Sequence, residues 1–147
     1  MQKVQIESYS LVAVQFLCAG ILIYDVLSLP LTVLPITMIT AAIAIALWSV
    51  FTMRIGNIRI QPIPKTDAQL ISSGPYRFAR HPMYAAVLLA MLGLAITINS
   101  IFGYSVWIVL CIDLLLKLRF EEKLLMVRFP EYREYMDRTK KLLPFLW

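Results

Sequence analysis

Long apolar runs alternate with short polar interruptions along this chain, and the lengths of the runs set the first expectations. Four segments stand out: Leu11 to Leu29, Leu31 to Met53, Met83 to Ile98, and Ile101 to about Lys117. The first carries Gln15 and Asp25, the second has no charge, and the fourth contains Asp113. A helix needs roughly 20 apolar residues to cross the hydrocarbon of a bilayer, so the first two segments suffice alone. The last two are shorter. Asn99-Ser100 with Gly103 reads as a tight turn that joins them into a hairpin whose polar ends just reach across. Leu29-Pro30 separates the first pair, because the residue before a proline is biased away from helix.

Between the second and third segments, Arg54 to Arg80 holds Pro62, Pro64 and the Gly74-Pro75 pair, which predicts a loop rather than a helix. After the fourth, a helix is expected to continue from Leu118 to Arg128. Pro130 then breaks it and suits the first position of a second short helix ending near Arg138. The pattern therefore predicts an all-α integral membrane protein, four transmembrane helices with a cytoplasmic connector and a C-terminal cytoplasmic helical tail.

Composition agrees with this reading and narrows it. Of 147 residues, 60% are hydrophobic, against about 45–50% in soluble domains. Four spans leave room for one domain only, residues 1–147. The net charge of +5 does not indicate nucleic acid, because the basic residues flank apolar segments instead of forming a run on a polar scaffold. Lys3 precedes the first segment; Arg54, Arg59, Lys65, Arg77 and Arg80 lie between the second and third; the rest, from Lys117 to Lys141, follow the fourth or sit at its end. With four spans all of them fall on one side, which the positive-inside rule places in the cytoplasm together with both termini. The first run ends without a small-residue cleavage site and is expected to be retained as a span. Cys18 and Cys111 lie in apolar stretches and read as small buried hydrophobes. With a single histidine, no metal-ligand cluster is expected.

Three stretches carry the candidate chemistry. The first, Ser72 to Tyr84, brings Arg80, His81 and Tyr84 to the start of the third segment. Pro82 falls in the first helical turn, which leaves neighbouring amides available to an anion. Tyr76 and Arg77 alone read as an interfacial belt; the whole cluster, with the chain's one histidine, points to a site. The second is Glu121-Glu122. Adjacent side chains diverge by about 100° on a helix, so one faces inward and the other water. By spacing alone this is a solvated face paired with Arg119 or Lys123. In the third, Tyr132, Tyr135 and Arg138 recur at every third position and share a face, the ordinary pattern of an amphipathic surface helix. Asp113 is ionisable inside a span, which makes it a functional candidate or an interfacial hydrogen-bonding group.

Taken in order, Ser73-Gly74-Pro75-Tyr76, Arg80-His81-Pro82-x-Tyr84, Glu121-Glu122-x-x-Leu125, Glu131-Tyr132-x-x-Tyr135-x-x-Arg138 and Leu143-Pro144 resemble the isoprenylcysteine carboxyl methyltransferase family in its short prokaryotic form. The resemblance covers about Gln61 to Leu146. Ala86 stands where the family often has glycine, Phe129-Pro130 replaces a glycine-containing turn, and the extra N-terminal helices of larger members have no counterpart.

The resemblance implies a prokaryotic inner-membrane enzyme that transfers a methyl group from S-adenosylmethionine to a lipophilic acceptor, a carboxylate first of all. It implies a cofactor site lined by Gln61, Gln69, Leu70, Ile71, Tyr76, His81, Pro82, Met83, Tyr84, Glu121 and Glu122, with Arg138 at the acceptor as the catalytic residue and no metal. Glutamates suit the cofactor's ammonium group and ribose hydroxyls, and a planar arginine holds a carboxylate bidentately. Other readings are a phospholipid or amine N-methyltransferase, a nicotinamide-dependent enzyme similar to the membrane sterol reductases, and a non-catalytic membrane subunit. Against the reductase stands Met83, where those enzymes have asparagine.

Overall fold

The computed structural model describes residues 2–57 and 70–142, apart from the side chains of residues 2–5 and 54–57. Its elements are α1 (Gln2–Val26), α2 (Val33–Asn57), a 3-10 turn (Gly74–Arg77), α3 (Pro82–Ile98), α4 (Ile101–Arg128) and α5 (Tyr132–Arg138). Among the described residues the one β-type contact is a parallel bridge between Ala79 and Lys140.

The helix boundaries correct the expected ones where local chemistry differs from the hydropathy pattern. The first helix starts well before Leu11 and stops at Val26 rather than Leu29. Its end is a turn in which the amides of Leu27 and Leu29 bond the carbonyls of Tyr24 and Val26, ahead of Pro30. The second helix continues to Asn57, into the stretch read as a loop. Pro35 sits in its first turn, where an amide has no intrahelical partner to lose. The hydroxyls of Thr37, Thr40, Ser49 and Thr52 bond carbonyls three or four residues back at 2.7–2.8 Å, so these four groups need no water.

The α3–α4 connection has two residues. Asn99 ends α3 in the left-handed conformation (φ 46°), and the Ser100 hydroxyl caps α4 by accepting from the Gly103 amide at 3.0 Å. A Cβ at Gly103 would meet Ile98 at 3.1 Å, so the hairpin closes tightly only without one. At the far end α4 runs unbroken to Arg128, as the pattern suggested, and Phe129 turns extended before Pro130. Pro130 does not begin the next helix. It lies in the turn, and α5 starts two residues later at Tyr132.

α3 occupies the middle of the bundle, packed chiefly on α2 and also on α4 and α1, while α1 packs mainly on α4. Leu22, Ala95, Leu110 and Leu114 are fully buried at the centre of this packing. Gly93 brings α3 close to α2, with space for a Cβ only 3.3 Å from the Pro35 carbonyl oxygen. The Trp107 indole, half-buried on α4, donates to the Leu88 carbonyl at 3.0 Å.

The outer surfaces carry large exposed apolar side chains such as Phe51, Val33 and Ile101. Such a surface suits contact with hydrocarbon. Among the described residues, three helical stretches are long and apolar enough to cross a membrane: Ile6–Val26, Val33–Met53 and Ile101–Arg128. At 17 residues, α3 rises about 26 Å against roughly 30 Å of hydrocarbon. It is a shorter apolar helix held inside the bundle.

Candidate functional site at one end of the bundle

The site forms where the segment leading into α3 meets the last part of α4 and the tail. Gly74 opens the 3-10 turn at φ +57°, and a Cβ there would lie 2.5 Å from the Thr52 hydroxyl of α2, so glycine is required twice over. Beyond the turn the backbone extends and pairs with the tail. The amides of Arg80 and His81 donate to the carbonyls of Lys140 and Lys141 at 2.8 and 3.0 Å, and the Lys140 amide returns to the Phe78 carbonyl at 3.2 Å. The buried Tyr135 hydroxyl donates to the Tyr76 carbonyl at 2.6 Å.

Burial raises the phenol of Tyr135 to about 12 and those of Tyr76 and Tyr132 higher still. All three stay protonated, and that of Tyr135 stays a donor, across the physiological range.

Arg80 ties the three elements together. Its guanidinium is buried; Nε donates to Glu122 Oε1 of α4 at 2.6 Å, and one terminal nitrogen donates to the carbonyls of Met136 and Thr139 in the tail. Next along the chain, His81 lies between the two glutamates. Its Nε2 is 3.4 Å from Glu122 Oε1, and its Nδ1 is 3.7 Å from Glu121 Oε2. The imidazole stacks on the Tyr84 ring (5.4 Å between centroids, planes 3° apart), and the Tyr84 hydroxyl donates to Glu121 Oε2 at 2.8 Å. The expected division of the glutamates holds: the Glu122 side chain is 7% exposed and that of Glu121 is 28% exposed. Their partners are Arg80, His81 and Tyr84 from a distant part of the chain, not the neighbouring Arg119 or Lys123.

One turn before Glu121 lies a buried polar layer. The Lys117 ammonium donates to Gln15 Oε1 of α1 at 2.6 Å and sits 5.4 Å from the centre of the Tyr84 ring. Asp113, another turn back, is buried with Oδ2 unpartnered among the described residues. Residue spacing assigns Arg80 no role beyond membership of a polar cluster, and none to Lys117 or Gln15. For the last two the available signal was a charged residue at the edge of a span and a lone amide inside one.

The other anticipated residues fall as follows. Pro82 and Tyr76 are buried at the site's edge; Met83, Leu70 and Ile71 are half-buried. Gln61 and Gln69 lie outside the described residues. Arg138 does not share the buried face of α5. That face is Tyr132, Tyr135 and Thr139, because the turn at the helix end brings the residue four along, not three, back inward. Arg138 is exposed and paired with Glu134. Of the amides around the start of α3 that were expected to be open, four have partners. Those of Arg80 and His81 are taken by the tail, and those of Tyr84 and Ala85 by the His81 carbonyl. Among the described residues, no group of three or more His, Cys, Asp or Glu side chains is placed to hold a metal ion.

Two curated relatives share sequence with part of this chain. The cobalt-zinc-cadmium resistance protein CzcN of Cupriavidus metallidurans is 38% identical over 81 residues, which is 52% of this chain and 36% of that protein. The nickel-cobalt-cadmium resistance protein NccN of Alcaligenes xylosoxydans xylosoxydans is 31% identical over 84 residues, 56% of this chain and 39% of that one. The chain thus spans well under half the length of either relative. A family model matches more of it, from residue 30 to residue 131, which takes in α2, α3, α4 and every side chain of the Arg80–His81–Tyr84–Glu121–Glu122 cluster. By that match the chain belongs to the phospholipid methyltransferase family, within the wider group of membrane methyltransferases similar to the isoprenylcysteine carboxyl enzymes.

Proposed function

We propose that this protein is an integral membrane methyltransferase that uses S-adenosylmethionine and acts on a lipophilic acceptor, a carboxylate first of all. The observation that carries the reading is the convergence of His81, Tyr84, Glu121 and Glu122 at one end of an apolar bundle. The donor set fits the cofactor: a partly exposed carboxylate for an ammonium group or ribose hydroxyls, with an imidazole stacked on a phenol beside it. The cofactor, when bound, supplies a methyl group activated on a sulfonium.

The protein's own part is to seat the cofactor, exclude water and align the acceptor. Glu121, Tyr84 and His81 form the seat. Tyr76, Pro82, Met83, Leu70 and Ile71 supply apolar edges, and Gln61 and Gln69 are assigned to the cofactor by the sequence resemblance alone. A carboxylate acceptor is already ionised at neutral pH, so no general base is needed and alignment dominates the rate. Arg138 is assigned to that carboxylate, which requires it to exchange Glu134 for the acceptor.

The family match gives a second reading, an amine-bearing lipid as acceptor. The whole chain acts as one domain with four spans and both termini in the cytoplasm; the one-sided placement of lysine and arginine supports this. A reporter fused after Trp147 and active only outside the cytoplasm would refute the topology.

The deciding experiment has two steps on detergent-solubilised protein. Binding of radiolabelled S-adenosylmethionine is compared with binding of NADPH. Methyl transfer is then measured to a prenylated thiol acid and to an amine phospholipid. Binding of NADPH alone refutes the cofactor assignment. Transfer to the amine lipid alone replaces the carboxylate reading with the second one.

A further inference from the structure

Although adjacent in sequence, Glu121 and Glu122 meet very different surroundings. Glu122 is buried, and both of its contacts end on Oε1: the Arg80 Nε at 2.6 Å and the His81 Nε2 at 3.4 Å. Arg80 in turn holds the backbone carbonyls of Met136 and Thr139. The Glu122 charge is therefore balanced by a guanidinium whose remaining bonds fasten the tail, and a ligand cation would have to compete with that pair. Glu121 has no lysine or arginine nitrogen within 4.0 Å among the described residues. Its side chain is four times as exposed as that of Glu122 (28% against 7%), and its one hydrogen bond among the described residues comes from a neutral phenol, that of Tyr84. The Lys117 ammonium one turn back acts on Glu121 at longer range but is itself bonded to Gln15. A carboxylate that is accessible, oriented and in no direct ion pair with lysine or arginine is open to a ligand cation; one already paired in a buried site is not.

We propose that the two glutamates do different work: Arg80 fixes Glu122 as the anchor of the tail, while Glu121 alone receives the ammonium group of a bound ligand. Arg80 is thus a positioning residue acting through Glu122 and the tail backbone. The ammonium half rests on the S-adenosylmethionine reading; the anchor half rests on the structure alone.

The test uses the full chain in lipid nanodiscs with three variants, Glu121→Gln, Glu122→Gln and Arg80→Lys. Two ligands are compared, S-adenosylhomocysteine and methylthioadenosine, which share the nucleoside and thioether but differ in the ammonium and carboxylate. Glu121→Gln is expected to weaken S-adenosylhomocysteine roughly 10- to 100-fold, the loss of one charge-assisted contact, with methylthioadenosine affinity and tail exchange unchanged. Glu122→Gln and Arg80→Lys are expected to speed hydrogen exchange at the amides of Thr139 and Lys140 and to affect both ligands alike. The anchor is overturned if exchange in Glu122→Gln and Arg80→Lys matches wild type. The ammonium seat is overturned if Glu121→Gln weakens both ligands equally, or if Glu122→Gln shows the ligand-selective loss instead. Absence of S-adenosylhomocysteine binding by wild type overturns the cofactor reading and the ammonium seat with it, and the exchange data still decide the anchor.

Discussion

Tyr135→Phe removes one oxygen and should loosen the tail by a calculable amount. The hydroxyl donates to the Tyr76 carbonyl at 2.6 Å, and both residues are buried, at 9% and 4% exposure. Phenylalanine keeps the ring and its tilted packing on Tyr132, 5.7 Å between centroids. What is lost is the hydrogen bond, and the Tyr76 carbonyl is left facing a dry ring edge. An orphaned buried acceptor costs about 1–3 kcal/mol, which multiplies the population of the detached tail roughly 5- to 150-fold. The bonds from Arg80 remain, so detachment becomes more frequent without becoming the resting state. Hydrogen exchange read by mass spectrometry reports this directly, because the amides of Arg80, His81 and Lys140 are protected only while the tail is paired. Their exchange should accelerate by that factor, while amides in the middle of α3 and α4 keep wild-type rates. Wild-type exchange at the paired amides would refute the role given to this hydroxyl. Uniform acceleration through α3 and α4 would show that the tail is not a separate opening unit.

The same phenol gives a pH dependence. Its pKa is raised by burial from the ordinary value near 10 to about 12, so the stability it contributes is complete below pH 10 and lost as pH rises through 12. Tail exchange corrected for intrinsic base catalysis should therefore rise over that window in wild type and not in Tyr135→Phe. Gly74→Ala should destabilise by forcing a Cβ into a φ of +57° and against Thr52. Adding Thr52→Ala should recover the steric part and leave about 1 kcal/mol of backbone strain, measurable as a double-mutant cycle in thermal unfolding; full recovery would contradict the strain argument. If Arg138 leaves Glu134 to hold an acceptor carboxylate, Arg138→Lys should keep cofactor affinity and slow single-turnover methyl transfer by roughly 2–4 kcal/mol of barrier. Unchanged turnover would remove Arg138 from the mechanism and leave it the surface ion pair seen here.

What the sequence determined by itself was mostly local. Apolar runs, Pro30, the Asn99-Ser100 turn and the unbroken stretch from Ile101 to Arg128 specify helices and their breaks, because helix formation and proline sterics act over a few residues. Even one functional detail was local in this sense: adjacent glutamates on a helix cannot face the same way, and one is indeed buried while the other is partly exposed. Which partners they meet was not. Arg80 reaches Glu122 across 42 positions, and Lys117 reaches Gln15 across 102. Spacing rules within one helix carry no information on such pairs, so Arg119 and Lys123 looked like the natural partners of the glutamates. The tail shows the same division. A three-residue recurrence suggested that Arg138 continues the face of Tyr132 and Tyr135, but the tail docks through Tyr135 and the Arg80 bonds to Met136 and Thr139. That docking sets the rotation of a seven-residue helix too short to have a stable face of its own, and it leaves Arg138 outside.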